Sequence, residues 1–459
     1  MSGTIPDRAE TRAVAEVAAL SSGRGLLASP AVHTHIDAAA SPTRLGSLAP
    51  PAVHAYAEAL GSDELPAYVH DLAGLADHAK GIAAALPPGV EFYYAAKANP
   101  DARVLGALAP HVDGVEVASG GEYAHVAAAV PGLPIAFGGP GKTPGELALA
   151  VRSGAHRLHV ESEHELRQVG ALARAHGRPV DVLLRANPPL ELPGGPAGVP
   201  LAMGGRPSPF GMDPDALDRC VAILAAEPLL RLRGLHAHLA SGLGADALAA
   251  LGASLVQWAE AWARGHGLAV EEVVLGGGME VDYGAPHARF DWATYGSALG
   301  RLRAHGSASA REPAVPLLRI EPGRAVTAYH GWYVTEVLDV KRSRGRAFAV
   351  VRGGTHHLRT PAARGHAQPF TVLPRDDWAY PWARPASGDG EPVTLVGQLC
   401  TPKDVLAADI PVAGGLRAGD RVAFAMAGAY AFNISHRDFL MHPPPTFHYL
   451  GEHTGEAPG

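Results

Sequence analysis

The chain has 459 residues, room for roughly two or three domains at about 150 residues each, and 47% of them are apolar. Lys and Arg total 38 against 45 Asp and Glu, a formal charge of −7, and this mild acidity without a basic block argues against general nucleic-acid or anionic-membrane binding. The longest apolar stretches are Ala-rich and broken by His, Gly or charge, so none reads as a membrane span, and two cysteines, Cys220 and Cys400, cannot make a disulfide framework.

Residues 1–40 are rich in Ala, Ser, Thr and Pro and read as a loose tail. Their opening MSGTIPDRAE lacks a positive-then-apolar secretory pattern, so a soluble cytoplasmic protein is expected. A joining segment, 41–65, is expected to belong with a later β domain. From 66 to 322 short apolar runs alternate with Ala- and Leu-rich helical stretches, the pattern of βα units around a parallel sheet. Strands are predicted at Glu91–Ala96, Val115–Ala118, Ile135–Gly138, Arg157–Glu161, Val180–Arg185, Leu232–Leu239, Val273–Leu275 and Leu317–Ile320. Helices are predicted at Pro144–Val151, Glu163–Ala175, Pro214–Ala225 and Ala247–Arg264, and Glu191–Pro209 reads as a long barrel loop. No strand pair reads as an edge, which favours a (β/α)8 TIM-type barrel over an open sheet. After Gly323 the texture changes. Trp332–Val340, Arg346–Arg352, Pro392–Gly397 and Asp420–Met426 read as strands between Gly- and Pro-rich turns, so 323–459 is expected to be a second, all-β domain.

Barrel enzymes do their chemistry at the C-terminal ends of the strands. Here those ends carry Lys97, Ser119, Gly138, Glu161, Arg185, His238, the triplet Gly276–Gly278, and Glu321. The chain has only five lysines, Lys80, Lys97, Lys142, Lys341 and Lys403, so one that ends the apolar strand EFYYAAK calls for an explanation. Partial burial there is expected to lower the Lys97 pKa and free its amine as a nucleophile. A surface lysine at a loop start is the plainer alternative. The runs LGGG and EPGR, after adjacent strands, place glycine backbone and Arg324 where barrels hold phosphate. Glu321 beside a phosphate loop needs a cation between them, and a protonated pyridine nitrogen is one. A lysine for an imine, an acid for a ring nitrogen, and glycines with an arginine for a phosphate together describe pyridoxal 5′-phosphate. His238 then suits the ring face, although a lone histidine is more often a satisfied core residue. No metal is expected.

These motifs carry a family resemblance from about Leu65 to Pro445. The chain resembles the fold-type III pyridoxal-phosphate decarboxylases that include diaminopimelate and ornithine decarboxylases, whose barrel and β domain share the alanine racemase-like fold. The resemblance implies the Schiff-base lysine at Lys97 in YYAAKAN, and Glu116 and Ser119 in GVEVASGGE. It implies His238 stacked on the ring and Ser241 at the phosphate in HAHLASG, with Gly276, Gly277, Gly278, Gly323, Arg324 and Tyr430 also at the phosphate. Arg185 joins the cofactor set, and Glu321 meets the pyridine nitrogen. GQLCTPKD matches the family's cysteine loop, which completes the site of the other subunit in a head-to-tail homodimer. Cys400 would there return a proton to the α-carbon once carbon dioxide has left, while Cys220 reads as core.

Departures bear on the substrate. An acidic residue usually follows the cysteine; here it is Thr401, with Asp404 retained, and Arg359 in GGTHHLRTPAARGH could hold a carboxylate. With FNISHRDFLMHPPP, these features resemble the branch found in siderophore assembly, which decarboxylates amino acids carrying a bulky acidic group. The other readings are a diaminopimelate or basic amino acid decarboxylase, an amino-acid racemase, and a non-catalytic PLP-binding regulator.

Overall fold

The computed structural model describes residues 48–193, 201–305 and 316–451. The expected tail, 1–40, lies outside them. Parallel strands covered on both faces are built from near-continuous apolar runs, and eight such runs close a barrel: Val90–Ala95, Gly114–Val117, Ile135–Phe137, Arg157–Val160, Val180–Arg185, Leu230–His236, Glu272–Gly276 and Leu317–Ile320. Every pairing is parallel, and the last strand returns to the first, with Leu318 opposite Val90 and Ile320 opposite Phe92. All eight predicted strands are present, Val180–Arg185 and Leu317–Ile320 with the predicted bounds and the others with ends shifted by at most three residues. The largest shift is in the sixth strand, which stops at His236 and leaves His238 in the loop beyond it.

The helices between them start on side-chain caps that satisfy free backbone N–H groups. Ser119 accepts from Glu122 N, Ser162 from Glu165 N, and Thr143 and Glu146 form a reciprocal capping box. Because side chains alternate along a strand, one register of each strand points into the barrel and stacks in layers. The lower layer is charged. Arg319, with no exposed surface, donates to Glu91 Oε2 at 2.7 Å and to Glu272 Oε2 at 2.8 Å, while Arg157 pairs with Glu272 from the opposite side. The next layer upward carries the site.

A second sheet follows in the order Phe370–Leu373, Arg421–Phe424, Gly331–Ser343, Arg346–Val351, Pro392–Val396 and Val405–Pro411. Its core holds Tyr333, Val337, Leu395, Leu406, Val422 and Phe424. A strand not predicted from the sequence, at the start of the segment 66–322 expected to form the barrel, belongs here instead. Ala67–Asp71 runs antiparallel to Gly331–Ser343 and parallel to Thr446–Leu450, so the barrel proper begins at the helix Leu72–Ala85. A short, fully buried run looks alike in either sheet, and nothing local names its partner. The helix Pro51–Ala59 is fastened to the same domain by Arg421, whose guanidinium donates to Ala57 O at 2.8 Å and Glu58 O at 2.7 Å.

Candidate active site

Lys97 follows the first barrel strand in a single turn of 3-10 helix, Ala96–Ala98, that turns its side chain into the mouth. It lines a cavity of about 360 Å³ together with Glu116, Gly138, Arg185, His238, Ser241, Gly277, Gly278, Glu321, Gly323, Arg324 and Tyr430, a size that suits a cofactor plus a small substrate group. Lys97 Nζ donates to Glu116 Oε2 at 2.8 Å. The expected downward shift of the Lys97 pKa is overturned. Burial does pull it down, but the negative charge of Glu116, aided by Tyr430 and Glu321, outweighs burial and the net direction is up. Lys142 also lies at a strand end, but its ammonium is buried and held by Gly139 O, His159 O and Glu165 Oε1 at 2.7, 2.7 and 2.5 Å. Of these two lysines only Lys97 faces the cavity.

One end of the cavity is a ring of backbone and hydroxyl groups. A side chain at Gly277 would lie 2.5 Å from Glu321 O, and Gly278 adopts φ +97°, so both positions demand glycine. Arg324 donates to the Tyr283 hydroxyl at 3.0 Å and lies 4.5 Å over the Tyr430 ring. Tyr430 comes from the second domain at φ +49°, and its backbone N–H is tied to Ala98 O at 2.7 Å. These groups fit an anion.

The other end carries Glu321, a buried carboxylate whose Oε1 has no hydrogen-bond partner. Its Oε2 meets His236 Nε2 at 3.1 Å. His238 accepts from Gly277 N–H through Nδ1 at 3.1 Å, and burial, with the charges of Lys97 and Arg185, holds its pKa down at about 3. It is therefore a neutral ring at the cavity wall. An amine near one edge, an orphaned acceptor at a second, a neutral flat ring beside them and an anion cradle beyond fit pyridoxal phosphate. Arg185 lines the cavity but is engaged by Glu161 Oε1 at 2.6 Å. Gly276 supplies the turn at φ +73° and is not itself among the lining residues, and Ser119 serves as the helix cap.

The remaining expected residues lie elsewhere. Cys400 is exposed outside the cavity, as is Arg359, which donates to Ile434 O at 3.5 Å; Thr401 is half-buried in the same loop as Cys400. Asp404, expected at the substrate, is turned inward. It accepts from Thr355 N and Thr355 Oγ1 through Oδ1 at 2.6 and 2.8 Å and from Leu399 N through Oδ2 at 2.8 Å, so both of its oxygens are committed to holding the cysteine loop. Sequence reasoning missed His159 and His236, which line the cavity beside Glu321. The signal was there: in the predicted strands Arg157–Glu161 and Leu232–Leu239, His159 stands two residues before Glu161 and His236 two before His238, so alternation puts each on the face of a residue already singled out. Leu201, Met203 and Phe210 of the long loop also line the cavity, and Leu201–Ala202 pairs with Ala240–Ser241 as a small hairpin-like flap.

The family described as pyridoxal-dependent decarboxylase, pyridoxal binding domain, matches residues 72–328. The chain belongs to that family. It is 38% identical over 384 residues to 2-[(L-alanin-3-ylcarbamoyl)methyl]-2-hydroxybutanedioate decarboxylase of Staphylococcus aureus, covering 83% of this chain and 93% of the relative. It is 33% identical to a diaminopimelate decarboxylase of Actinosynnema pretiosum, covering 83% of each. Among solved structures, diaminopimelate decarboxylase from Helicobacter pylori complexed with L-lysine superposes with a TM-score of 0.72 at 21% identity, over 87% of this chain and 94% of that one, which shows the shared fold. The protein is a pyridoxal-phosphate-dependent carboxy-lyase, and this favours carbon dioxide release over the racemase and regulator readings. No helix among the described residues is long and apolar enough to cross a membrane.

Proposed function

We propose that this decarboxylase acts on an α-amino acid conjugate bearing carboxylates, in the manner of a siderophore precursor, as a head-to-tail homodimer in the cytoplasm. The observation that carries the reading is the convergence of Lys97, Glu321, His238 and the Gly277–Arg324 cradle on one cavity while the Cys400 loop lies outside it. The relatives' substrates support the conjugate: the Staphylococcus aureus enzyme is named for an alanine joined through a carbamoyl group to a hydroxybutanedioate, and a Niallia circulans relative, 31% identical, for a glutamyl group on a carrier protein.

When bound, pyridoxal phosphate supplies the electron sink for the pair left behind by carbon dioxide. The residues do the rest. Lys97 would provide the amine that holds the cofactor, and Glu116 holds that amine as an ammonium while the site is free. Glu321 would offer its unpartnered oxygen to the ring nitrogen, and His238 would lie against the ring without adding charge. Gly277, Gly278, Ser241, Gly323, Arg324 and Tyr430 would hold the phosphate, with Gly276 supplying the turn before them, and Arg185 braces the wall through Glu161. Cys400 from the second subunit returns the proton to carbon, with Thr401 beside it, and Arg359 is available to a distal carboxylate.

The test is carbon dioxide release and product analysis with a citrate-linked diamino acid, diaminopimelate, glutamate, lysine and ornithine. Release from the conjugate, lost in Lys97→Ala, is expected; release confined to the free basic amino acids overturns the substrate class. Mixing inactive Lys97→Ala and Cys400→Ala proteins should restore about a quarter of the wild-type rate, because random reassortment of a two-site homodimer leaves one intact site in half the dimers. No recovery on mixing would remove the shared site.

A further inference from the structure

Beside Glu321 the cavity wall holds two buried imidazoles to which the proposed chemistry gives no role. His159 and His236 stack face to face with ring centroids 4.3 Å apart and planes 27° from parallel. His236 Nε2 lies 3.1 Å from Glu321 Oε2, and His159 Nε2 lies 3.9 Å from Oε1. Both nitrogens of His159 and Nδ1 of His236 are buried without a hydrogen-bond partner. A carboxylate fixed by an arginine would have its charge offset, whereas a neutral imidazole donates a hydrogen bond and leaves the charge in place.

We propose that His236, backed by the stacked His159, is a positioning residue: it donates an uncharged hydrogen bond to Glu321 Oε2 and so leaves Oε1 for a cationic ring nitrogen. The inference rests on the reading of Glu321 as the partner of the pyridine nitrogen. Burial and the nearby cations favour its neutral form and outweigh the Glu321 carboxylate, which lies 3.1 Å away and favours the imidazolium. Burial comes first, then the positive charges of Arg185, Lys97 and Arg319, and the pKa is pushed well below the ordinary histidine value; burial pushes His159 the same way, against the opposing charge of Glu321. With its proton on Nε2, His236 can act only as a donor toward the carboxylate. The His159 ring holds that orientation by filling the space on its face, and it requires no proton of its own.

The experiment uses the full-length protein loaded with pyridoxal phosphate labelled with 15N at the ring nitrogen. The visible band of the Lys97-linked cofactor reports binding, the 15N shift between pH 6 and 9 reports ring protonation, and kcat and KM are measured alongside. In the wild type the ring nitrogen should stay protonated throughout. His236→Phe, which keeps a ring but removes the donor, should bind the cofactor yet lose the ring proton at a midpoint lower by about one pH unit or more, and kcat should fall roughly tenfold while KM stays within about twofold. His236→Gln, which keeps an N–H donor, should recover most of both. If His236→Phe fails to fold, His236→Asn, too short to reach Glu321, replaces it. A donor-free variant with the wild-type 15N profile, or a Gln variant no better than Phe, overturns the role of His236. Stoichiometric zinc retained by the wild type and lost in His159→Phe would also overturn it, since the three side chains would then be ligands. A failure of the underlying reading looks different: Glu321→Gln would leave the ring nitrogen of the otherwise wild-type protein unchanged.

Discussion

Lys97 Nζ and Glu116 Oε2 form a 2.8 Å ion pair across the first two barrel strands, and this contact sets the charge state of the amine before any cofactor arrives. Removing the carboxylate's charge lets burial dominate, so in Glu116→Gln the Lys97 pKa should fall. A larger fraction of amine is then neutral near pH 8. Stripped protein should take up pyridoxal phosphate with an apparent pKa at least about one unit lower than wild type. Stopped-flow absorbance across pH 6–10 measures this directly, and an unchanged profile removes Glu116 as the cause.

The charged layer below the site should be the costliest place to make a single change. Arg319 is wholly buried between Glu91 and Glu272. Arg319→Met leaves two carboxylates facing one another with only Arg157 to compensate, and should lower stability by about 3–5 kcal/mol. Chemical denaturation compares it with wild type, and adding Glu272→Leu should restore part of the loss. A cost no larger for Arg319→Met than for a surface arginine would show that the layer is not coupled.

Asp404 should behave as a loop anchor. Asp404→Ala strips partners from Thr355 N, Thr355 Oγ1 and Leu399 N and should cost about 2–3 kcal/mol, because hydrogen bonds to a buried charged group are worth more than neutral ones. Turnover should fall with it, while the absorbance of the bound cofactor stays the same. A wild-type melting temperature with raised KM alone would return Asp404 to the substrate.

Buried histidines should make the fold sensitive to acid. Burial is the leading cause holding His70 at about 4 and His330 and His357 at about 3. Each is below the ordinary value of 6.5, so the unfolded chain binds more protons at any pH between. The sign follows: stability is unaffected above about pH 7 and is lost progressively as pH falls from 6.5 toward 4, each such histidine removing up to about 1.4 kcal/mol per pH unit. Denaturation midpoints measured at pH 7, 6 and 5 should fall in that order, and His330→Asn should flatten the trend.

The barrel was legible because its strands are apolar runs of the right length, and the mouth because Lys97, Glu321 and the glycine turns follow those runs directly. The pairing of Ala67–Asp71 was not legible, since it depends on residues about 260 and 380 positions away. His159 and His236 were missed because a histidine in a strand looks like core until the strands around it close. The inward turn of Asp404 and the upward pKa of Lys97 were missed for a shared reason. Each depends on a neighbour from another element, Thr355 in one case and Glu116 in the other.

The strand Ala67–Asp71 makes the barrel an insertion inside the β domain rather than a unit placed before it. Both Gly331–Ser343 and Thr446–Leu450 must be present before that strand has its neighbours. During synthesis the barrel can therefore close first, while the domain that contributes Tyr430 waits for residues 446–450 to leave the ribosome. A chain cut between residues 344 and 445 would keep all eight barrel strands and leave one edge of the Ala67–Asp71 strand unpaired.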